Sequence, residues 1–415
     1  MSTHFTTAAS AQERDRVDPL GSYRSHFVAA EDDEIVYLDG NSLGRPPRAV
    51  AERLSSFVAQ DWGRRLIRGW SEGWFDAPLE TGDRLGRTVL GAAPGQTIVA
   101  DSTTVSLYKL IRAALTARPG RRRIVIDRAN FPTDRYVVQG IAAETGAVID
   151  WLDPDAATGV TEADVRALVG ADTAVVVLSH VAYRSGYVAD IPAITSAAHE
   201  AGALVVWDLC HSVGVLPLEL DAWGVDFATG CTYKYLNGGP GSPAFLYVRT
   251  DLQGTSRQPI QGWMGVRDSF EMGPEYEPAD GIRRFVSGTP PVLAMVPLTA
   301  TLDLVEEVGI DAIRAKSILL TDYAVELYDR RLAPLGVVLS SPRDAAVRGG
   351  HITVDHPAFA EIIAELWAQG ILPDFRPPSG LRLGMSPLST SFAEVERAVD
   401  AIAAALTARQ ERNES

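Results

Sequence analysis

Lys234 and Asp208 are the residues of this chain whose types and positions most directly suggest chemistry. Lys234 lies in a polar turn that follows a short apolar run and leads into the glycine- and proline-rich stretch 238–241. Such a setting leaves a lysine poorly solvated and favours its neutral amine, which can condense with an aldehyde. Asp208 follows the apolar run 203–207, and His211 comes three residues later. This order is expected of an enzyme that uses pyridoxal phosphate (PLP), whose pyridinium nitrogen pairs with the acid and whose aldehyde forms a Schiff base with the lysine.

Each of these residues also has an ordinary structural explanation. Lysines that look buried mostly extend their amines to solvent, and aspartates at strand ends mostly cap helices. The order of the acid, the histidine and the lysine, followed by Gly-Gly-Pro-Gly, favours the catalytic interpretation.

Composition restricts the class of protein. The chain has 415 residues, of which 46% are apolar, which is enough for large cores in two or three domains. Its net charge of −15 argues against nucleic acid as a partner, because phosphate binding needs a concentrated basic surface. Two cysteines, Cys210 and Cys231, fit a reducing cytoplasm and no disulfide framework.

Residues 1–20 are polar, and we expect them to be frayed at the start of the chain. They lack the apolar stretch of a secretory signal, and the longest apolar runs, such as 174–178, are too short to cross a bilayer. We therefore expect a cytoplasmic protein with no membrane partner.

Short apolar runs alternate with helical stretches between residues 90 and 250. This alternation predicts an α/β fold, with a mostly parallel central sheet sandwiched by helices. Ligands of such sheets bind at the carboxyl ends of the strands. The predicted strands are 97–100, 123–127, 147–152, 174–178, 204–207, 227–230 and 244–248, with helices at 162–169 and 191–201.

The pattern changes after the proline-marked turn 288–291. A long helix is predicted from 292 to 307, running on through 310–332, and the rest predicts a smaller α+β C-terminal domain. Its predicted strands are 337–340, 351–354 and 381–384, and its helices are 357–369 and 391–408. We divide the chain into an N-terminal segment (1–44), a large PLP-binding domain (45–295) and a small C-terminal domain (296–415).

Several long motifs occur in order between residue 37 and about residue 390. They are the segments 37–44, 101–105, 130–134, 179–186, 208–211, 231–239, 262–265 and 285–291. On these motifs the chain resembles the kynureninases, PLP enzymes of the aspartate-aminotransferase fold type. Long motifs in the right order are far more specific than a single lysine turn.

The resemblance implies a set of cofactor contacts. Thr103 and Thr104 match the family's phosphate-contacting pair. They open a predicted helix, where backbone N–H groups suit an anion, although ordinary N-capping would explain them as well. Phe131 matches the aromatic residue that stacks on the pyridine ring, and Asp134 a carboxylate near it. The expected cofactor-binding residues are Thr103, Thr104, Phe131, Asp134, Ser179, Asp208, His211, Tyr233, Lys234, Trp263 and Thr289.

The resemblance also implies a homodimer with a shared active site. Trp263 and Thr289 match residues that complete the phosphate pocket of the neighbouring subunit. Lys234, Tyr233 and Asp208 are the expected catalytic residues. His211 is expected to contact the cofactor rather than a metal, because only Cys210 lies at metal-binding spacing from it.

Arg382 and Trp62 are the expected substrate contacts. Arg382 falls where the family places the arginine that binds the substrate's α-carboxylate, and a planar guanidinium offers two parallel hydrogen bonds to such a group. Trp62, and Trp70 near it, would line an aromatic pocket, although tryptophans of this kind are more often core residues. Ala182 and Val266 depart from the family pattern, which has polar residues there, so the ring substituents of the substrate stay open.

The activity implied by the resemblance is hydrolysis of L-kynurenine, 3-hydroxykynurenine or both, giving anthranilate or 3-hydroxyanthranilate and L-alanine in tryptophan degradation. One alternative is a hydrolase for a ring-substituted kynurenine in a biosynthetic route, and another is an aminotransferase on the same scaffold. A cysteine desulfurase would need a catalytic cysteine on a later loop, and no cysteine follows Cys231.

Two further alternatives are not enzymes of this type. A PLP-binding regulator would add a basic DNA-binding domain, for which residues 1–36 are too short and too acidic. A dinucleotide-binding protein would need G-x-G-x-x-G before a helix, and 238–241 lacks that spacing.

Overall fold

The structure is a computed structural model that describes residues 10–31, 34–155 and 159–414. The strands are β1 Val36–Leu38, β2 Thr97–Val99, β3 Arg123–Asp127, β4 Val148–Leu152, β5 Thr173–Ser179, β6 Leu204–Asp208, β7 Phe227–Gly230, β8 Phe245–Val248, β9 Val338–Leu339, β10 His351–Asp355, β11 Ile371–Arg376 and β12 Gly380–Gly384. The α-helices are α1 Ala11–Arg16, α2 Ala49–Ser56, α3 Gly63–Arg65, α4 Ala77–Leu85, α5 Thr103–Ala117, α6 Pro132–Thr145, α7 Glu162–Leu168, α8 Ile191–Glu200, α9 Thr250–Gln253, α10 Val292–Val308, α11 Ile310–Leu327, α12 Phe359–Ala368 and α13 Phe392–Glu414. Short 3₁₀ or π turns occupy Gly21–His26, Phe57–Trp62, Leu66–Trp70, Gly86–Leu90, Gly281–Phe285, Tyr328–Leu332, Ala333–Leu335 and Ala345–Val347.

The larger of the two described sheets has seven strands in the order β2-β8-β7-β6-β5-β3-β4. Neighbours from β7 to β4 pair in parallel, and β8 pairs antiparallel with both β7 and β2. The prediction of a mostly parallel α/β sheet is therefore confirmed.

Both faces of this sheet are buried. Val125, Val176 and Val205 pack in one apolar core, whereas Ile124 and Val175 pack in another on the opposite face. Successive strand residues point to opposite faces, so a strand covered on both sides needs a continuous apolar run. This is why the apolar runs of the sequence predicted these strands to within a residue or two.

Strand direction brings the candidate residues to one edge of the sheet. Because β2, β3, β5, β6 and β7 run in the same direction, the loops that follow them all leave at that edge. Most of the predicted cofactor residues lie at these strand ends or in the segments that follow them, whereas Trp263 and Thr289 lie after β8.

The smaller sheet has five strands in the order β1-β11-β12-β10-β9. Its first strand comes from the N-terminal segment and pairs in parallel with β11, while the other pairs are antiparallel. After β1 the chain crosses to the large sheet, where the N–H of Gly44 donates to the Tyr233 carbonyl at 2.9 Å. The N-terminal segment thus belongs to the small sheet and also supports the lysine turn.

The expectation of a frayed N-terminus is wrong for residues 10–20. Ala11 of α1 is fully buried, and the Asp15 carboxylate accepts hydrogen bonds from the N–H groups of Phe392 and Ala393 at the start of α13. Asp18 pairs with the buried ammonium of Lys316. These polar residues are held because they satisfy a helix end and a buried charge. Residues 1–9 lie outside the described residues.

The prediction of one helix through 292–332 is also wrong. α10 and α11 are separate helices on either side of Gly309, whose φ of +83° lies in the left-handed region. A glycine adopts this conformation without the steric cost that other residues meet, so it ends the first helix here. No helix in the described ranges is both long and apolar enough to cross a membrane.

Candidate active site

Lys234 is buried in the turn that follows β7. Its Nζ lies 3.3 Å from Nε2 of His211 and 5.9 Å from the centroid of the Phe131 ring. The turn is closed by hydrogen bonds from the N–H of Asn237 to the Lys234 carbonyl, at 2.9 Å, and from the N–H of Gly238 to the Thr232 carbonyl, at 2.9 Å. The amine of Lys234 is therefore held inside the protein, between an imidazole and an aromatic ring.

Asp208 ends β6, next to the strand that leads to Lys234. Its Oδ1 accepts a hydrogen bond from the N–H of Cys210 at 2.8 Å, which fixes the carboxylate at the start of the loop. Asp134, in the first turn of α6, is buried and interacts electrostatically with Asp208. Burial, and then the charges of Asp208 and Asp127, raise the pKa of Asp134 well above its usual value. Burial therefore favours the protonated form of Asp134.

His211 is buried beside Lys234. Burial, and then the positive charges of Lys234 and Arg382, lower the pKa of His211 well below its usual value. Its ring centroid lies 5.8 Å from that of His351, on β10 of the small sheet. His211 is therefore a neutral imidazole that contacts the lysine amine at the junction of the two sheets.

The first turn of α5 lies at the same edge of the large sheet. Ser102 caps the helix, with its Oγ accepting a hydrogen bond from the N–H of Val105 at 3.4 Å. Thr103 Oγ1 lies 3.8 Å from Sγ of Cys210, which places it against the loop after β6, and Thr104 is exposed. A helix start with hydroxyl groups and backbone N–H donors is suited to a phosphate.

Ser179 and Phe131 are connected through Asn130. Ser179 Oγ donates to Asn130 Oδ1 at 2.9 Å, and the same oxygen accepts from the N–H of Phe131 at 2.7 Å. Phe131 packs edge-on against Tyr183, with ring centroids 5.3 Å apart. The ends of β3 and β5 are thus joined by polar contacts around the aromatic ring.

Arg382 lies on β12 and is 1% exposed. Its Nε donates to Asp374 Oδ2 at 2.6 Å, and its Nη2 lies 2.5 Å from the same oxygen. Nη2 also donates to Ser42 Oγ at 2.9 Å, and Nη1 donates to the Tyr183 carbonyl at 2.8 Å. Tyr183 therefore connects this arginine to Phe131.

Tyr233, next to Lys234, is partly buried, and its ring centroid lies 6.0 Å from the lysine Nζ. Burial, and then the neighbouring thiols Cys231 and Cys210, raise the pKa of its hydroxyl above the usual value. The hydroxyl stays protonated at neutral pH and can donate a hydrogen bond.

Three predicted residues lie apart from the lysine within one chain. Trp263 is 42% exposed and packs edge-on against Phe75, with ring centroids 6.4 Å apart. Trp62 is 52% exposed, and Thr289 is exposed as well. Among the described residues, no hydrogen bond or ring contact joins these side chains to Lys234 or Asp208. Their roles in the site stay predictions.

The residues around Lys234 fit the cofactor expected from the sequence. Asn130 Nδ2, Asp134 Oδ2 and Ser212 Oγ are buried polar atoms without a hydrogen-bond partner in the described part of the chain. Buried polar atoms are rarely left unpaired, so their clustering at this edge indicates a polar group that binds there. An aromatic ring, a carboxylate, a lysine amine and a helix start together suit an aldehyde-bearing pyridine with a phosphate.

Sequence reasoning missed three residues that orient Arg382, namely Asp374, Ser42 and Tyr183. Asp374 lies directly opposite Arg382 in the pairing of β11 with β12, so opposite charges face each other across two strands. Ser42 comes from the N-terminal segment, 340 residues away in sequence. Ser42 and Tyr183 lie inside motifs recognised in the sequence, but their distance from residue 382 along the chain concealed their role.

Comparisons with known proteins agree with this geometry. The family model described as aminotransferase class-V matches residues 36–365. The chain is 40% identical over 402 residues to the kynureninase of Pseudomonas fluorescens, covering 95% of this chain and 94% of that protein. It is 41% identical over 403 residues to a kynureninase of Burkholderia pseudomallei, with the same coverage of 95% and 94%.

Solved structures of similar fold are more distant in sequence. The apo cysteine desulfurase of Thermococcus onnurineus aligns with a TM-score of 0.80 at 19% identity, covering 93% of this chain and 98% of that one. The Escherichia coli cysteine desulfurase aligns with a TM-score of 0.79 at 19% identity, covering 94% and 99%. At this identity the likeness concerns the fold alone. The extent and identity of the matches to curated relatives are decisive, and the chain belongs to the kynureninase family, within the class-V aminotransferases.

Proposed function

We propose that this enzyme hydrolyses the Cβ–Cγ bond of L-kynurenine to give anthranilate and L-alanine, with PLP bound at Lys234. The 3-hydroxy derivative of L-kynurenine, which would give 3-hydroxyanthranilate, is a second candidate substrate. The observation that carries the proposal is identity of 40% to 41% with curated kynureninases over 95% of the chain. The buried Lys234, with Asp208 after the adjacent strand, supplies the corresponding chemistry.

Five residues would hold the cofactor. Thr103 and Thr104 would bind the phosphate at the start of α5, Phe131 would cover the ring, and Asp208 would pair with its nitrogen. Lys234 would be the covalent attachment point. When bound, PLP supplies an electron-withdrawing ring that weakens bonds at the substrate's Cα and Cβ.

Arg382 would bind the substrate's α-carboxylate. A guanidinium has five N–H donors, and the contacts to Asp374, Ser42 and the Tyr183 carbonyl use four of them. One N–H on Nη1 has no partner among the described residues. It would donate to the carboxylate, with Asp374 holding the guanidinium in place behind it.

Lys234 and Tyr233 would move the protons. Once the substrate's amine displaces it, Lys234 is free to take a proton from Cα. Tyr233 keeps its own proton, because burial raises its pKa, and can return a proton to the product side. The neutral His211, 3.3 Å from Lys234, stabilises the lysine amine without adding a second positive charge.

A homodimer in the cytoplasm is part of the proposal. Trp263 is exposed and lies near other exposed apolar side chains, Phe270 at 68% and Met272 at 82%. Large apolar side chains exposed together are typical of a surface that another protein covers. A second copy would cover them and receive Trp263 and Thr289 at its phosphate pocket.

The first test is product formation. Purified enzyme supplied with PLP and L-kynurenine should release anthranilate, measured by its fluorescence, and alanine in equal amounts. Comparing kcat/KM for L-kynurenine, its 3-hydroxy derivative and a ring-substituted analogue would identify the substrate. Absence of anthranilate at any practical enzyme concentration would refute the proposed substrate, and formation of a 2-oxo acid with pyridoxamine phosphate would indicate an aminotransferase.

The second test is cofactor attachment. The PLP-loaded enzyme should absorb visible light, and Lys234→Ala should lose this absorbance and the covalent adduct found in the intact mass after borohydride reduction. A Lys234→Ala protein that still forms a reducible adduct would place the attachment on another lysine.

A further inference from the structure

Lys109 is a fully buried lysine that has no part in the site described so far. It lies on α5, two turns after Thr103, and its side chain is 0% exposed. A lysine is almost never fully buried unless it is paired, because removing an ammonium from water is costly. The buried ammonium of Lys109 is therefore expected to hold specific partner groups in place.

Its ammonium joins two segments that are distant in sequence. Nζ lies 2.5 Å from Oδ2 of Asp101 and donates a hydrogen bond to the Phe285 carbonyl at 2.7 Å. Burial lowers the pKa of Lys109, while the Asp101 carboxylate acts in the opposite direction and favours the charged form. One side chain thus fixes residue 101 and residue 285 at the same point.

The first segment is the turn from β2 into α5. Asp101 has a φ of +57°, in the left-handed region that few residues other than glycine, asparagine and aspartate adopt. Its carbonyl accepts from the N–H of Ala244, the residue before β8, at 3.0 Å, so the turn is held by Ala244 on one side and by Lys109 on the other. Thr103 and Thr104 follow directly, and their position depends on this strained turn.

The second segment leads to Thr289. Phe285 ends the 3₁₀ turn Gly281–Phe285, and a methyl group added to Gly262 would lie 2.1 Å from the Ser287 carbonyl oxygen. The N–H of Met264 donates to the same carbonyl at 3.3 Å. The loop that carries Trp263 and the loop that carries Thr289 therefore pack backbone against backbone, and Lys109 holds this unit at residue 285.

We propose that Lys109 is a positioning residue for the cofactor's phosphate. It sets the spacing between the Thr103–Thr104 helix start, which serves the site of its own chain, and the Trp263 and Thr289 loops, which serve the site of the neighbouring copy. This inference rests on the proposed function, because it presumes that these residues bind the phosphate. Lys109 touches neither substrate nor reacting atoms, so its loss weakens cofactor binding more than bond cleavage.

The experiment compares Lys109→Met with Lys316→Met in the full-length enzyme. Methionine keeps an unbranched apolar side chain and removes the charge. Lys316, on α11, is the matched control, because it is also a buried lysine, 2% exposed, and pairs with Asp18 far from the phosphate residues. Each protein is freed of cofactor and titrated with PLP by absorbance, and backbone hydrogen exchange is measured in segments 100–106 and 285–289.

Lys109→Met should raise the dissociation constant for PLP by about tenfold or more, because the donors of the pocket are no longer held in place. Exchange should rise in both segments, and kcat at saturating PLP should change far less than the affinity. Lys316→Met should lower the melting temperature but leave PLP affinity and exchange in these segments unchanged.

Asp101→Asn gives a second, independent readout. Because Asp101 and Lys109 form one ion pair, the double variant should bind PLP about as well as Lys109→Met alone, rather than showing the product of the two losses. Unchanged PLP affinity in Lys109→Met would overturn the proposal. Equal losses in Lys109→Met and Lys316→Met would also overturn it, since the effect would then follow from stability. A wild-type protein that binds no PLP would instead refute the proposed function.

Discussion

Asp134 and Asp208 form a pair of carboxyl groups with different roles. Burial, and then the charge of Asp208, raise the pKa of Asp134 and favour its protonated form. Asp208, at the end of β6, is the acid proposed to pair with the pyridinium nitrogen.

This difference predicts that replacing each aspartate by asparagine will reduce kcat to very different extents. Asp134→Asn replaces a neutral acid by a neutral amide of similar shape, so kcat should stay within about tenfold of wild type. Asp208→Asn removes the charge and should reduce kcat by about 100-fold or more. Steady-state assays at saturating PLP measure both values. Equal losses for the two variants would show that the charge is shared rather than localised.

His180 makes stability depend on pH. Burial lowers the pKa of His180 to about 3, with a further contribution from Arg314, so the ring is neutral in the folded protein. The unfolded chain binds a proton at this histidine below about pH 6.5 and the folded chain does not, so the stability falls as the pH drops from about 6.5 to about 3.

His180→Phe should flatten this acid limb. The aromatic ring would keep its contacts with Trp207 and Trp223, whose centroids lie 6.4 and 6.5 Å away. The free energy of unfolding, measured by urea denaturation between pH 4 and 6, should fall less steeply in the variant by up to about 1.4 kcal/mol per pH unit. His26→Phe, at an exposed position, is the control. Parallel curves for wild type and His180→Phe would contradict this account.

At the scale of elements, the site depends on how the loop after β1 packs against the lysine turn. Gly44 lies against this turn, and an added methyl group would lie 2.4 Å from the Lys234 carbonyl oxygen and 2.3 Å from Asn237 Nδ2. The Lys234 carbonyl cannot move without moving the turn, because it accepts the hydrogen bond from the N–H of Asn237 that closes it. Asn237 Nδ2 is held as well, because it donates to the Arg45 carbonyl at 2.9 Å. The glycine is needed here for close approach rather than for its φ.

Gly44→Ala should therefore lower PLP affinity by about tenfold and also lower the melting temperature. Gly140→Ala, within α6 and with nothing within 4 Å of the added methyl group, is the matched control and should raise the free energy of unfolding by about 0.5 to 1 kcal/mol. PLP titration and thermal melting test both. Wild-type PLP affinity in Gly44→Ala would show that the turn tolerates displacement.

At the scale of the whole molecule, the proposed shared active site makes a prediction about mixed dimers. Lys234→Ala chains lack the covalent attachment, and Trp263→Ala/Thr289→Ala chains lack the residues offered to the neighbour. In a heterodimer of the two, one site keeps the lysine of one chain and the intact loops of the other.

Mixing equal amounts of the two inactive proteins, under conditions that exchange subunits, should restore about a quarter of wild-type activity. After random exchange, half of the dimers contain one chain of each kind. Each of these mixed dimers has one complete active site out of two, so a quarter of all sites are complete. Anthranilate release before and after exchange measures the gain, and size-exclusion chromatography checks the oligomeric state. If subunit exchange restores no activity, each chain contains its whole active site.

Much of the large sheet could be predicted from sequence because its strands are buried on both faces, which requires uninterrupted apolar runs such as 174–178. Strands without such runs were missed. β1 has three residues, and β11 is interrupted by Pro373 and Asp374. The position of Lys234 after β7 followed from the same pattern, together with the long motifs that indicated the family.

The sequence by itself determined the fold class and the family, and it predicted the residues proposed to attach and hold the cofactor, because these depend on local patterns and motifs of consecutive residues. Only the tertiary structure showed that burial raises the pKa of Asp134 and which groups orient Arg382. It also decided that Lys109 joins two loops. These properties arise from burial and from contacts between segments up to 340 residues apart, which no local pattern records.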